Sequence, residues 1–122
     1  MIHCLPVKAR FLMMIARGEK TVEVHLLKTP FKRIKEGDIL LMFDSAANIV
    51  RARVKEIRVY KDAFELAEKE DVSRILPGKT KEELIRTLKS LYSTRELKKP
   101  FIAIEFEKID FIPSPFEKLP VK

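Results

Sequence analysis

The stretch Ile49–Tyr60 constrains the fold more tightly than any other part of this chain. Val50, Ala52 and Val54 alternate with Arg51, Arg53 and Lys55, the period of two that gives a strand one apolar and one polar face. Ile57 and Val59 then fall in the phase of the arginines. A regular strand cannot bury both sets on one side, so the pattern predicts a β-bulge near Lys55–Glu56 that returns Ile57 and Val59 to the core. Bulges bend strands, and a long bent strand is what a small barrel requires.

The flanking segments supply partners for such a strand. Lys8–Arg17 reads as a short helix, apolar on most faces through Phe11, Leu12, Met14 and Ile15, with Gly18 placed for a left-handed cap. From Thr21 the period becomes two: Val22, Val24 and Leu26 point one way, Thr21, Glu23 and His25 the other. Thr29-Pro30 ends that strand, and a basic turn leads to Ile39–Phe43, a continuous apolar run expected as a central strand. Asp62 with Glu65, and Thr80 with Glu83, have the spacing of helix starts; Leu84, Leu88, Leu91 and Tyr92 follow the second at helical intervals. Ile102, Ile104 and Phe106 alternate again. The predicted order is strand, helix, three strands, two helices, strand, an α+β domain over residues 1–110. Residues 111–122, with Pro113, Pro115 and Pro120, read as a proline-containing tail that packs through Phe116 and Leu119 or frays, and that offers a docking segment for a protein partner.

With 122 residues and 46% hydrophobic content the chain fills one core without staples. Cys4 is expected as a buried apolar residue; alone it forms no internal disulfide, and with only His3 and His25 it makes no zinc cluster, so no metal is expected. Three glycines leave no phosphate-cradling loop, and no cofactor is expected. No apolar run nears the roughly 18 residues of a membrane span. Met1–Pro6 lacks the pattern of a secretory signal, and a cytoplasmic location is expected. The absence of Gln, the single Asn48 and 35% charged residues match a thermophilic bias. A net charge of +7 favours an anionic partner such as nucleic acid. Residues 1–58 carry 12 Lys/Arg against 6 Asp/Glu, whereas residues 59–122 carry 13 against 12, so the positive field belongs to the first half. A solvated, lysine-rich surface is the alternative reading.

The best-placed chemistry lies in Gly18-Glu19-Lys20-Thr21-Val22-Glu23-Val24-His25. Residues two apart on a strand are about 6.5–7 Å apart, so Lys20, Thr21, Glu23 and His25 set a cation, a hydroxyl, a carboxylate and an imidazole around one small pocket. Such a set binds phosphate through Lys20, or reads an exocyclic amine through Glu23. It performs acid–base work if Lys20 is desolvated, and it is ordinary surface pairing if the strand face is solvated. Two further basic groups, Lys32, Arg33 and Lys35 before Gly37 and Arg51, Arg53 and Lys55 on the long strand, are candidates for tracking a nucleic-acid backbone. Tyr60 and Tyr92 are possible stacking surfaces, although Tyr92 keeps phase with the leucines and favours core packing; His3 reads as incidental.

The run G-E-K-T-V-E-V-H after a short helix, then I-K-E-G-D-I-L-L and R-A-R-V-K-E-I-R-V-Y, resembles the ASCH family, and L-P-G, L-Y-S and F-I-A-I-E-F continue the likeness over roughly residues 5–109. The resemblance implies a PUA-like fold, a small mixed β-barrel, closed, with flanking helices and an RNA-receiving cleft lined by Lys20, Thr21 and Glu23. His25 stands where the family usually has Arg. Some small members are similar to amidohydrolases that deacetylate N4-acetylcytidine with the motif Lys, a Thr at the position of Glu23 and a helical Glu, for which Glu68 and Glu70 are the candidates. Ribonuclease activity is a further family possibility. The expected partner is RNA or a nucleoside, with no membrane. The expected RNA-binding set is Lys20, Thr21, Glu23, His25, Lys32, Arg33, Arg51 and Arg53, and an enzyme would use Lys20 and Glu23.

Overall fold

The computed structural model describes residues 1–115. In chain order these form β1 (Ile2–Pro6), α1 (Ala9–Ala16), β2 (Val22–Leu26), a 3-10 turn (Phe31–Arg33), β3 (Ile39–Phe43) and β4 (Ile49–Tyr60). Then come α2 (Ala63–Lys69), α3 (Val72–Ile75), α4 (Lys81–Leu91), α5 (Thr94–Leu97) and β5 (Phe101–Ile112). One mixed sheet runs in the order β1-β3-β4-β5-β2, parallel between β1 and β3 and antiparallel elsewhere. It curls into the half-barrel of an α+β, PUA-like fold with flanking helices. Because β1 and β2 are edges, ladder bonds do not close the barrel as the resemblance implies; α1 instead packs Leu12 and Ile15 against β3, β4 and β5.

The bulge in β4 is present. Val54 pairs with Phe106 and Glu56 with Glu105, which leaves Lys55 as the inserted residue. Ile57 packs against the barrel core as expected, but Val59 is 55% exposed. Beyond the bulge α2 covers the other face of β4, so Tyr60 is buried there and Val59 is left to solvent.

The curled sheet separates two apolar cores, and β5 contributes to both. Ile102, Ile104 and Phe106 join Leu12, Ile15, Leu40, Met42 and Val50 inside the half-barrel. Phe101 and Ala103 point the other way, against Leu66, Leu84 and Leu88 of the helices. Burying each such side chain stabilises the fold by about 1.5–3 kcal/mol. Four helices, not two, separate β4 from β5 among the described residues. Asp62 and Thr80 cap α2 and α4 as expected, and Asp71 and Ser93 start the two additional helices, each a single short turn that leaves no periodic pattern in the sequence.

Three other expectations are revised. Cys4 is exposed, because β1 is an edge strand that turns Leu5 inward and Cys4 outward. His3 is not incidental: its Nε2 donates to Asp38 at 2.8 Å, and Asp38 also accepts from the Lys35 amide and the chain's amino terminus. These bonds tie β1 to the turn in which Gly37 adopts φ +87°. The strand β5 runs through Ile112, into the segment read as tail, and the buried Ser114 donates its amide to Asn48 Oδ1 at 2.7 Å. Phe116 and Leu119 lie outside the described residues.

Candidate functional site

The turn after α1 delivers Lys20 into the interior. Gly18, at φ +79°, reverses the chain, and Lys20 follows with only 4% of its surface exposed. Its ammonium donates to the carbonyls of Val22 at 2.7 Å and Ile75 at 2.8 Å, and pairs with Glu23 Oε1 at 3.1 Å. Those contacts use all three of its hydrogens. Ile75 is the last residue of α3, whose final carbonyls have no partner within the helix, so the lysine also caps that end.

Glu23 is buried beside it, and its Oε2 accepts from His25 Nε2 at 2.9 Å. The His25 ring stacks on Phe31, with centroids 3.9 Å apart and planes 9° from parallel. Burial alone would raise the pKa of Glu23; the charge of Lys20 and the hydrogen bond from His25 outweigh it and bring the group down to about 2. Glu23 is therefore a carboxylate at neutral pH, with two of its roughly four lone-pair positions occupied.

Lys20, Glu23, Val24 and His25 form one wall of a cavity of about 160 Å³. Leu84, Thr87, Leu88 and Leu91 of α4 face them, with Tyr92 beyond and Phe11, Ile75 and Leu76 completing the lining. Leu91 is 60% exposed, and Tyr92 sets its ring edge-on to Phe101. A dry apolar cavity of ~150 Å³ holds a benzene molecule, so this space suits a single six-membered ring and not a whole nucleotide.

The other expected site residues are dispersed. Thr21 lies one residue ahead of β2, and its backbone bonds to Arg74 and Phe106 while its side chain turns to a different hollow, beside Lys55 and Lys108. Its Oγ1 is buried with no hydrogen-bond partner among the described residues. Lys32 and Arg33 are exposed on the 3-10 turn that carries Phe31, next to His25. Arg51 and Arg53 are exposed on β4; Arg51 pairs with Asp110 at 2.7 Å and Arg53 reaches the Gly37 carbonyl. Neither candidate helical acid lines the cavity: Glu68 pairs with Lys81, and Glu70 is clasped by Arg58 and Tyr60. Tyr60 is buried and bonded, so it offers no stacking surface, whereas Tyr92 serves both the core and the cavity.

The sequence matches the ASCH domain over residues 5–110. This chain belongs to the ASCH domain family. The crystal structure of the hypothetical protein PH0355 superposes with a TM-score of 0.79 at 31% identity, covering 89% of this chain and 100% of that one. Protein PF0455 from Pyrococcus furiosus, solved by NMR, gives 0.70 at 32% identity over 89% and 98%. The ASCH protein of Zymomonas mobilis shares the fold at 13% identity, with a TM-score of 0.69 over 96% of this chain and 75% of that one. No curated protein matches. In this ASCH domain the motif residues Lys20, Glu23 and His25 meet at one cavity wall, while Phe11 and Leu91 come from α1 and α4. Phe11 and Leu91 escape a sequence reading because both keep the spacing of ordinary core positions. Among the described residues no helix is long and apolar enough to cross a membrane.

Proposed function

We propose that this ASCH domain is an RNA-binding module that takes one unpaired pyrimidine into the cavity, cytosine in preference to uracil. The observation that carries the reading is the buried, ionised Glu23 at the wall of a cavity the size of one ring. A carboxylate accepts hydrogen bonds and donates none, so it favours the N4 amine of cytosine over the O4 acceptor of uracil. Apolar contact from Val24, Leu88 and Leu91 excludes water, which strengthens that discrimination. A base reaches such a cavity from a single strand, a loop or an end, where it is unstacked. Lys20 then has a different part from the one its charge suggests. It fixes and ionises Glu23 instead of meeting phosphate, and the exposed Lys32, Arg33 and Arg53 are left to meet the backbone.

Fluorescence anisotropy with labelled oligoribonucleotides that differ in one C or U tests the proposal. Wild type is expected to prefer C by about tenfold, and Glu23→Gln to narrow the ratio toward one. Leu91→Glu changes an exposed residue at the cavity, spares the core, and is expected to weaken binding of the C strand. Equal affinity for both strands, or indifference to Leu91→Glu, would overturn the proposal.

A nucleoside amidohydrolase reading has one observation in its favour, the Lys20–Glu23 pair at the cavity wall. Against it stand the engagement of Glu68 and Glu70 elsewhere and the full hydrogen-bond complement of Lys20. Release of cytidine from N4-acetylcytidine, abolished in Glu23→Gln, would favour it over simple binding.

A further inference from the structure

The ring-sized cavity does not end at its own walls. Phe11, Leu76 and Thr87 also line a second hollow of about 310 Å³, so the two spaces are neighbours across a shared rim. The second hollow carries three exposed cations, Arg10 from α1, Lys79 from the α3–α4 connection and Arg86 from α4. Among the described residues that line it, Glu83 is the one carboxylate. Glu83 accepts from the backbone amide and the hydroxyl of Thr80, both at 3.2 Å, and lies 3.7 Å from Lys79, so the capping of α4 already occupies it. The Arg10 guanidinium sits 4.7 Å from the centre of the Phe11 ring, which places a positive charge at the rim itself.

A base that fills the first cavity must leave its ribose and phosphate outside, because the space admits one ring. The neighbouring hollow is where those groups have room. We infer that Arg10, Lys79 and Arg86 form a phosphate subsite, and that the ligand of the cavity is a nucleotide unit whose sugar phosphate these three cations hold. The inference rests on the base-binding reading above and extends it from a base to a phosphorylated ribonucleoside. Guanidinium forks suit phosphate oxygens, and an ammonium adds a mobile point charge. Lys79 and Arg86 belong to the nearly neutral second half of the sequence, which is why a count of charge along the chain passes over them.

The phosphate could belong to a free nucleotide or to a strand, and calorimetric titration of the full chain separates these cases. Cytidine, cytidine 5′-monophosphate, cytidine 3′-monophosphate and a trinucleotide with central C are compared at low salt. The expected result is that at least one monophosphate, or the trinucleotide, binds about tenfold more tightly than cytidine. The double variant Arg10→Ala/Arg86→Ala, altered at exposed positions, is expected to erase that advantage while leaving cytidine affinity unchanged. Lys61→Ala/Lys69→Ala, which removes the same charge at exposed positions on another hollow, should preserve the advantage. Preference for a monophosphate over the trinucleotide assigns a free nucleotide, and the reverse assigns a strand. Cytidine binding with no gain from phosphate, or a gain that survives the double variant, overturns the subsite alone. No binding of cytidine by wild type overturns the base-binding reading and this inference with it.

Discussion

Lys20 donates to Val22, Ile75 and Glu23 and has no hydrogen left for a ligand. Removing it takes the cation from a buried carboxylate that keeps its His25 bond and the ammonium from two carbonyls, a loss on the order of 3–5 kcal/mol for Lys20→Met at neutral pH. The folded state lowers the Glu23 pKa from 4.5 to about 2, so the pair's stabilisation is complete above about 4.5 and is lost as pH falls toward 2. Without Lys20 that depression shrinks. The stability gap between wild type and Lys20→Met should accordingly be widest near pH 7 and smaller near pH 3, as urea denaturation at both values would measure. The grouping of Lys20 and His25 on either side of Glu23 was legible because all three lie within six positions of one another. Its bond to Ile75 was not, since that carbonyl arrives from 55 residues away.

At the scale of elements, β4 and α2 are joined by a charged clasp. Arg58, just past the bulge, donates to both oxygens of Glu70 at 2.6 and 2.9 Å and to Glu105 at 3.0 Å, while the Tyr60 hydroxyl also donates to Glu70. Burial would raise the Glu70 pKa, but the bonds from Arg58 and Tyr60 outweigh it and hold the group below its ordinary value. Burial and the neighbouring Glu70 push the Tyr60 hydroxyl up to about 12. Arg58→Met strands the Glu70 charge and is expected to lower stability by roughly 3 kcal/mol, with hydrogen exchange accelerating first in α2 and α3. The alternation of β4 announced its bulge. It did not reveal that helices cover the outer face beyond Lys55, which decides that Arg58 and Tyr60 turn toward α2 and that Val59 faces water.

Across the whole molecule, the net charge of +7 acts on any polyanion through the released counterions, whichever base is bound. In the RNA-binding reading, affinity for an oligoribonucleotide falls as salt rises, with a slope of about −0.7 per phosphate contacted in single strands. Arg53→Ala and Lys32→Ala are expected to flatten that slope without altering the preference for C. Arg51→Ala should change it less, because Asp110 already opposes that charge. Anisotropy titrations at several salt concentrations measure both slope and preference. Arg53→Ala or Lys32→Ala altering the C preference while leaving the slope unchanged would contradict the division between backbone and base contacts.

Properties written in neighbouring residues were decided by the sequence alone: the period of β2 and β4, the bulge at Lys55, the caps at Asp62 and Thr80, and the G-E-K-T-V-E-V-H element that marks the family. Periodicity and capping are local, since they depend on side chains within one or two turns or a few strand positions. Only the tertiary structure decided that Lys20 is interior, that Thr21 leaves the motif for another hollow, that Glu70 belongs to Arg58, and that Arg10, Lys79 and Arg86 line one hollow beside the cavity. Each of those outcomes depends on which distant segments pack together around the curled sheet, and a one-dimensional pattern holds no record of that approach.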